Sequence, residues 1–123
     1  MSRALLALML AACASPIAPG IEVIGAQEFT PPASYTDVAA ALFACANDER
    51  DPAAFVASSR WFTVARFDDQ RDGLRFPVYG LWRPGEGIYL LDATALPSVA
   101  HELNHLRLRG DSRHADASWS CAR

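Results

Sequence analysis

The chain has 123 residues and not one lysine. All eleven of its fixed positive charges are arginines, set against fourteen acids for a formal net charge of −3. No basic run or stripe concentrates that charge, so a nucleic-acid partner is excluded: phosphate binding needs a positive face. Nor does any apolar run approach the ~18 residues that a bilayer-spanning helix requires. Repeats and low-complexity tracts are missing as well. Three histidines, three cysteines and two methionines complete the scarce residues. What remains is 51% hydrophobic and 10% aromatic, too apolar for disorder and of a length that suits one domain of ~100–150 residues.

The first residues form a unit of their own. Met1-Ser2-Arg3 is a minimal positive start, and Ala4 to Ala12 follow as nine apolar residues. That is the length of the apolar stretch of an export signal. It runs into Leu10-Ala11-Ala12-Cys13, which resembles the bacterial lipobox, a small-residue cleavage site before a cysteine that becomes acylated. The resemblance implies a signal peptide over 1–12, lipid on Cys13, and anchorage in a bacterial cell envelope. Ser15, Pro16, Pro19 and Gly20 break any helix there, and 13–33 reads as a tether with a short strand at 21–24. With Cys13 lipidated, Cys45 and Cys121 are left. An even number in an oxidising compartment points to a disulfide, which would close 76 positions; two separate core thiols are the alternative.

From residue 34 the pattern becomes that of a folded domain, 34–123. Ser34-Tyr35-Thr36-Asp37 has the form of a capping box, with Val38, Leu42 and Cys45 at helical spacing, predicting a helix over 35–47. Asp51-Pro52 starts a second short helix through Ser58. Trp61 to Phe67 is β-branched and aromatic on both faces, as in an inner strand. The acidic stretch from Asp68 to Gly73 lacks the spacing of a calcium loop and reads as a solvated turn. Phe76–Trp82 and Ile88–Leu91 are predicted strands of a hairpin joined by Arg83-Pro84-Gly85-Glu86-Gly87.

His101-Glu102-Leu103-Asn104-His105 carries the chemistry. Two histidines at i and i+4 project from one face of a helix and can grip one Zn²⁺, and the glutamate between them can take a proton from metal-bound water. Composition alone predicts roughly 0.003 such matches in a chain with three His and five Glu, so chance is a poor explanation. The context is helical: Thr94 offers a cap, Pro97 falls in the first turn, and Gly110 offers a stop. Val99, Leu103 and Leu106 form a core stripe nearly opposite His101 and His105. The third histidine, His114, follows nine residues after His105, so all three lie within fourteen positions.

This stretch resembles the zincin metallopeptidases, closely over 101–114 and in outline over the preceding hairpin. No glutamate follows Glu102, which removes zincins that take a downstream Glu as third ligand. The metzincin pattern HExxHxxGxxH is also broken, with Leu108 at its glycine and Asp111 at its third histidine, and no methionine lies downstream. His114 is the preferred third ligand, since Gly110 turns the chain back, with Asp111 the alternative. The resemblance further implies substrate peptide extended along strand 88–91. Asp116, or less favourably Asp92, could orient His114, and Arg113 or Tyr89 could stabilise an oxyanion. Trp119 reads as packing.

The sequence therefore predicts an α+β, zincin-like domain: a small, mostly antiparallel sheet packed against an active-site helix and an N-terminal helix. Its expected function is zinc-dependent peptide-bond hydrolysis with Glu102 as general base and His101, His105 and His114 as ligands. The alternative is a zinc-binding envelope lipoprotein without catalysis.

Overall fold

Pro31-Pro32 decides where the first helix begins. In the computed structural model, which describes residues 20–73 and 77–123, helix α1 spans Ala33–Ala46 with extended Pro32 as its N-cap. The expected capping box at Ser34 does not form. Proline lacks an N–H, which costs nothing at a helix start, and its carbonyl accepts the Tyr35 N–H at 3.0 Å. Tyr35, Ala39, Leu42 and Phe43 form the buried stripe of α1, and Asn47 ends it in the left-handed region at φ 53°. Helix α2, Pro52–Ala57, opens as expected: the Asp51 side chain accepts the Ala54 N–H, and Pro52 takes the first turn.

Six short strands follow the chain: β1 Ile21–Ile24, β2 Gln27–Glu28, β3 Trp61–Thr63, β4 Arg66–Asp69, β5 Gly80–Arg83 and β6 Gly87–Leu90. The run 61–67 is not one strand. Val64 donates to Leu90 and Ala65 to Ile24, so the chain changes sheets at this point. Close approach makes the crossing possible, since a Cβ on Gly25 would stand 2.9 Å from Cβ of Ala65. β4 then pairs antiparallel with β1 in a two-stranded ribbon, which takes Asp68 and Asp69 out of the expected turn. The short strand expected at 21–24 within the tether is β1, and β2 adds a second strand to that stretch. The parts of the tether, signal and Cys13 readings that fall on 1–19 lie outside the described residues, as does the start of the 76–82 strand.

The second sheet has the order β2-β3-β6-β5, antiparallel except where β3 meets β6. On one face, Trp61, Trp82, Ile88 and Leu90 pack with Tyr35 and Leu42 of α1 and with Val99 and Leu103 of a third helix. The other face carries Leu81 and Tyr89 among Ile21, Val64 and Phe62. Fully burying an aliphatic side chain contributes ~1.5–3 kcal/mol, so this double-sided core around β6 dominates the fold's stability. The result is a small α+β fold rich in antiparallel pairing.

Burial on both faces and pairing on both sides put β6 inside the sheet. Strand 88–91 is therefore not an edge that substrate could join. The free edge beside the third helix belongs to β5. A disulfide joins Cys45, in the last turn of α1, to Cys121 across a Cα–Cα distance of 5.7 Å. No helix among the described residues is long and apolar enough to cross a membrane.

Candidate metal centre

Helix α3, Leu96–Leu108, carries the HExxH sequence. Pro97 sits in its first turn as predicted, but Thr94 is not the cap: Ala95 holds that place without a side-chain bond. The carboxylate of Asp92 accepts the Thr94 N–H and hydroxyl, so it braces the entry turn rather than a metal ligand. Val99 and Leu103 are fully buried and Leu106 packs against them, which leaves His101 and His105 facing away from the core. Arg109 caps the helix in a left-handed turn at φ 53°, and Gly110 follows it at the expected stop.

That stop also orients a ligand. Gly110 donates its N–H to the His105 carbonyl at 3.1 Å, while its own carbonyl lies 2.8 Å from Nδ1 of His105. A carbonyl only accepts, so Nδ1 carries the ring proton and Nε2 presents a bare lone pair. Burial, and secondarily His105 and His114, hold the His101 pKa down at about 4. Burial lowers His105 as well, against the opposing bond to Gly110. Both rings are neutral at pH 7, the form that binds metal.

His114 returns to meet them. Its Nε2 lies 3.2 Å from Nε2 of His101 and 3.2 Å from Nε2 of His105. The three ligand atoms form a group that one ion could join. With Zn–N bonds of ~2.0–2.1 Å, two ligands of a tetrahedral site stand ~3.3 Å apart, so the spacing suits such an ion. One ring proton on His114 could serve only one of its two contacts, whereas one cation serves all three nitrogens.

Asp111 builds the loop that makes this possible. Its carboxylate accepts N–H groups from Ala115 at 3.0 Å, Asp116 at 2.8 Å and the Trp119 indole at 2.7 Å. Those bonds, led by Asp116, keep its pKa at about 2. The Asp111 carbonyl takes the His114 N–H at 3.0 Å. Of the two candidate third ligands, the structure thus brings His114 to the cluster and occupies Asp111 with donors of its own loop. Asp116 turns its carboxylate to the Ser118 N–H and lies 3.7 Å from Arg107, so it does not orient His114. The polar partner of a ligand is instead the Gly110 carbonyl.

Glu102 packs against β5, beside the histidines on α3. Its side chain is only 4% exposed and its Oε2 has no hydrogen-bond partner among the described residues. Burial pushes its pKa up to about 8, with the Trp82 backbone N–H pulling the other way. Gly80 makes the space: a Cβ there would stand 2.9 Å from Cγ of Glu102. A cleft of 720 Å³ opens in front, lined by the three histidines, Glu102 and the β5 residues Gly80, Leu81 and Trp82, with Tyr79 beside them. Tyr89 is elsewhere, stacked on Phe62 at 4.8 Å beneath the opposite sheet face, and Arg113 is exposed on the loop.

The chain matches no known family, curated protein or solved structure. Its chemistry has to be read from its own geometry. Two residues gain importance there that sequence reasoning did not assign. Trp119 lies against all three imidazoles, with ring centroids 4.4–4.9 Å apart. Gly80 had a legible signal, since glycine inside a strand marks a close approach. The arrangement joins three histidine nitrogens close enough for one ion, a buried carboxyl with an oxygen unpartnered among the described residues, and an open cleft.

Proposed function

We propose that this protein is a zinc-dependent peptidase of the zincin type. One observation carries the reading: a nearly buried Glu102 carboxyl with an unpartnered oxygen lines the same cleft as the three-histidine cluster. Neither packing nor metal storage requires a carboxyl at that position, and burying one without a partner is costly.

His101, His105 and His114 would hold the ion. A zinc ion held there would supply Lewis acidity to the attacking water and to the substrate carbonyl. Glu102 accepts the proton of the attacking water as its oxygen bonds to the carbonyl carbon. It then passes that proton to the amine nitrogen as the C–N bond breaks. Burial raises its pKa to about 8, and a cation nearby would draw the value down towards neutrality, where one carboxyl can both take and return a proton. Substrate peptide lies extended beside β5 rather than 88–91. Leu81 pairs with Tyr89, and the Tyr79 carbonyl accepts the Leu91 N–H, so in the alternating ladder the backbone groups of Gly80 and the Trp82 carbonyl point to the edge left open among the described residues, where the Trp82 N–H meets Glu102. The lipobox-like sequence places the enzyme in a bacterial envelope, anchored through Cys13. Cys13→Ser should then remove the lipid mass from the mature N-terminus; an unchanged mass would withdraw the anchor.

The deciding experiment compares Glu102→Gln with His101→Ala, His105→Ala and His114→Ala. Each histidine variant should lose zinc by elemental analysis. Glu102→Gln should keep one zinc per chain while peptide hydrolysis falls by ~10²–10⁴. Undiminished hydrolysis in Glu102→Gln would leave a zinc-binding protein without this catalysis.

A further inference from the structure

Among the described residues, Trp119 is the one aromatic side chain outside the cluster in contact with all three of its histidines. Its ring centroid lies 4.9 Å from His101, 4.6 Å from His105 and 4.4 Å from His114. The three histidines line the cleft, and Trp119 is not among the residues that do. Its polar edge is engaged too, with Nε1–H donated to the Asp111 carboxylate at 2.7 Å.

His114 needs such support. Unlike His101 and His105 it belongs to no helix, and both it and Asp111 hold the left-handed backbone, at φ 54° and φ 60°, that residues other than glycine disfavour. Asp111 ties this segment together through the Ala115 and Asp116 N–H groups and the His114 N–H. The indole closes the arrangement by joining Asp111 to a short 3₁₀ turn, Ala117–Ser120. That turn is itself fixed at both ends. Ser118 accepts from the fully buried Asn104 of α3 at 3.1 Å, and Cys121 is bridged to α1.

We infer that Trp119 is a positioning residue of the metal centre: it packs against the three imidazoles and, through Asp111, holds His114 at ligand distance before metal arrives. The inference rests on the metal-centre part of the proposed function and not on hydrolysis. A loop ligand already ordered loses less freedom on binding, so the indole raises affinity without touching the ion.

The test uses the full exported protein and the metal alone. Zn²⁺ affinity is measured by chelator competition for the wild type, Trp119→Phe, Asp111→Asn and the double variant. Each single change should weaken Zn²⁺ binding about 10-fold, the usual scale for groups that orient ligands. The double variant should be no weaker than the singles, because both remove one contact. In the wild type, Co²⁺ should displace the Trp119 indole N–H resonance far more than that of Trp61, whose indole donates to the Val56 carbonyl and touches none of the three imidazoles among the described contacts. Affinity within twofold of wild type in folded Trp119→Phe, or an indole unmoved by Co²⁺, overturns the inference. Should the variants fail to fold, the wild-type resonance decides it. A wild type that binds neither ion refutes the metal centre and this inference together. One that binds but does not hydrolyse peptide refutes only the hydrolase reading.

Discussion

Glu102 occupies the place that a side chain on residue 80 would take: a Cβ on Gly80 would lie 2.9 Å from its Cγ and 3.1 Å from its Oε1. The carboxyl is therefore positioned by an omission in β5 as much as by its own helix. Because Gly80 does not hold a positive φ, alanine brings steric conflict without backbone strain.

Gly80→Ala should accordingly move the carboxyl and nothing else in the centre. Zinc content should stay at one per chain, and denaturant stability should fall by about 1–3 kcal/mol, the range for overpacking. Peptide hydrolysis should drop at least tenfold. Full hydrolysis in a zinc-loaded Gly80→Ala protein would mean that the exact seat of Glu102 is unimportant.

The helix, its glutamate and its two histidines were legible because a five-residue pattern on a periodic apolar stripe needs only local geometry. The stripe of Val99 and Leu103 settles which face is left for His101 and His105. Strand order was not legible, because adjacency in the chain says nothing of the parallel pairing that makes β6 central. Nor did the local sequence around Trp119 reveal its place. Its contacts depend on Asp111, eight positions earlier, adopting a left-handed turn normally reserved for glycine or asparagine.

A second prediction concerns the disulfide. The Cys45–Cys121 bridge closes 76 positions, and the chain-entropy model assigns such a loop about 4 kcal/mol. The paired substitution Cys45→Ser with Cys121→Ser should lose several kcal/mol in urea unfolding. A loss under about 1 kcal/mol would show that the surrounding core already confines both segments.

Acid should act at a different place. Hydrogen bonds from the Arg50 guanidinium and backbone, helped by Arg107, hold Asp48 at a pKa of about 2. A carboxylate lowered on folding stabilises the protein above its unfolded pKa of ~3.9, and that contribution disappears as pH falls through 2. Unfolding free energies of metal-free wild type and Asp48→Asn, from urea titrations, should differ by on the order of 1–2 kcal/mol at pH 5, after allowance for the exposed arginine. The two curves should converge near pH 2. Curves that stay parallel from pH 5 to 2 would remove Asp48 from the acid response.

All three imidazoles and the indole lie in the stretch of chain between Cys45 and Cys121, with Trp119 two positions before the second cysteine. Oxidation therefore sets an order of events. A reduced chain already contains each ligand, but the segment behind them has lost its covalent hold on α1. On the proposed reading, closing the bridge should convert a collection of donors into a preformed receptor. Synthesis and maturation become separate stages, and a newly made chain should acquire tight zinc binding no earlier than it acquires the disulfide, which pulse-labelling with parallel metal and thiol assays would time.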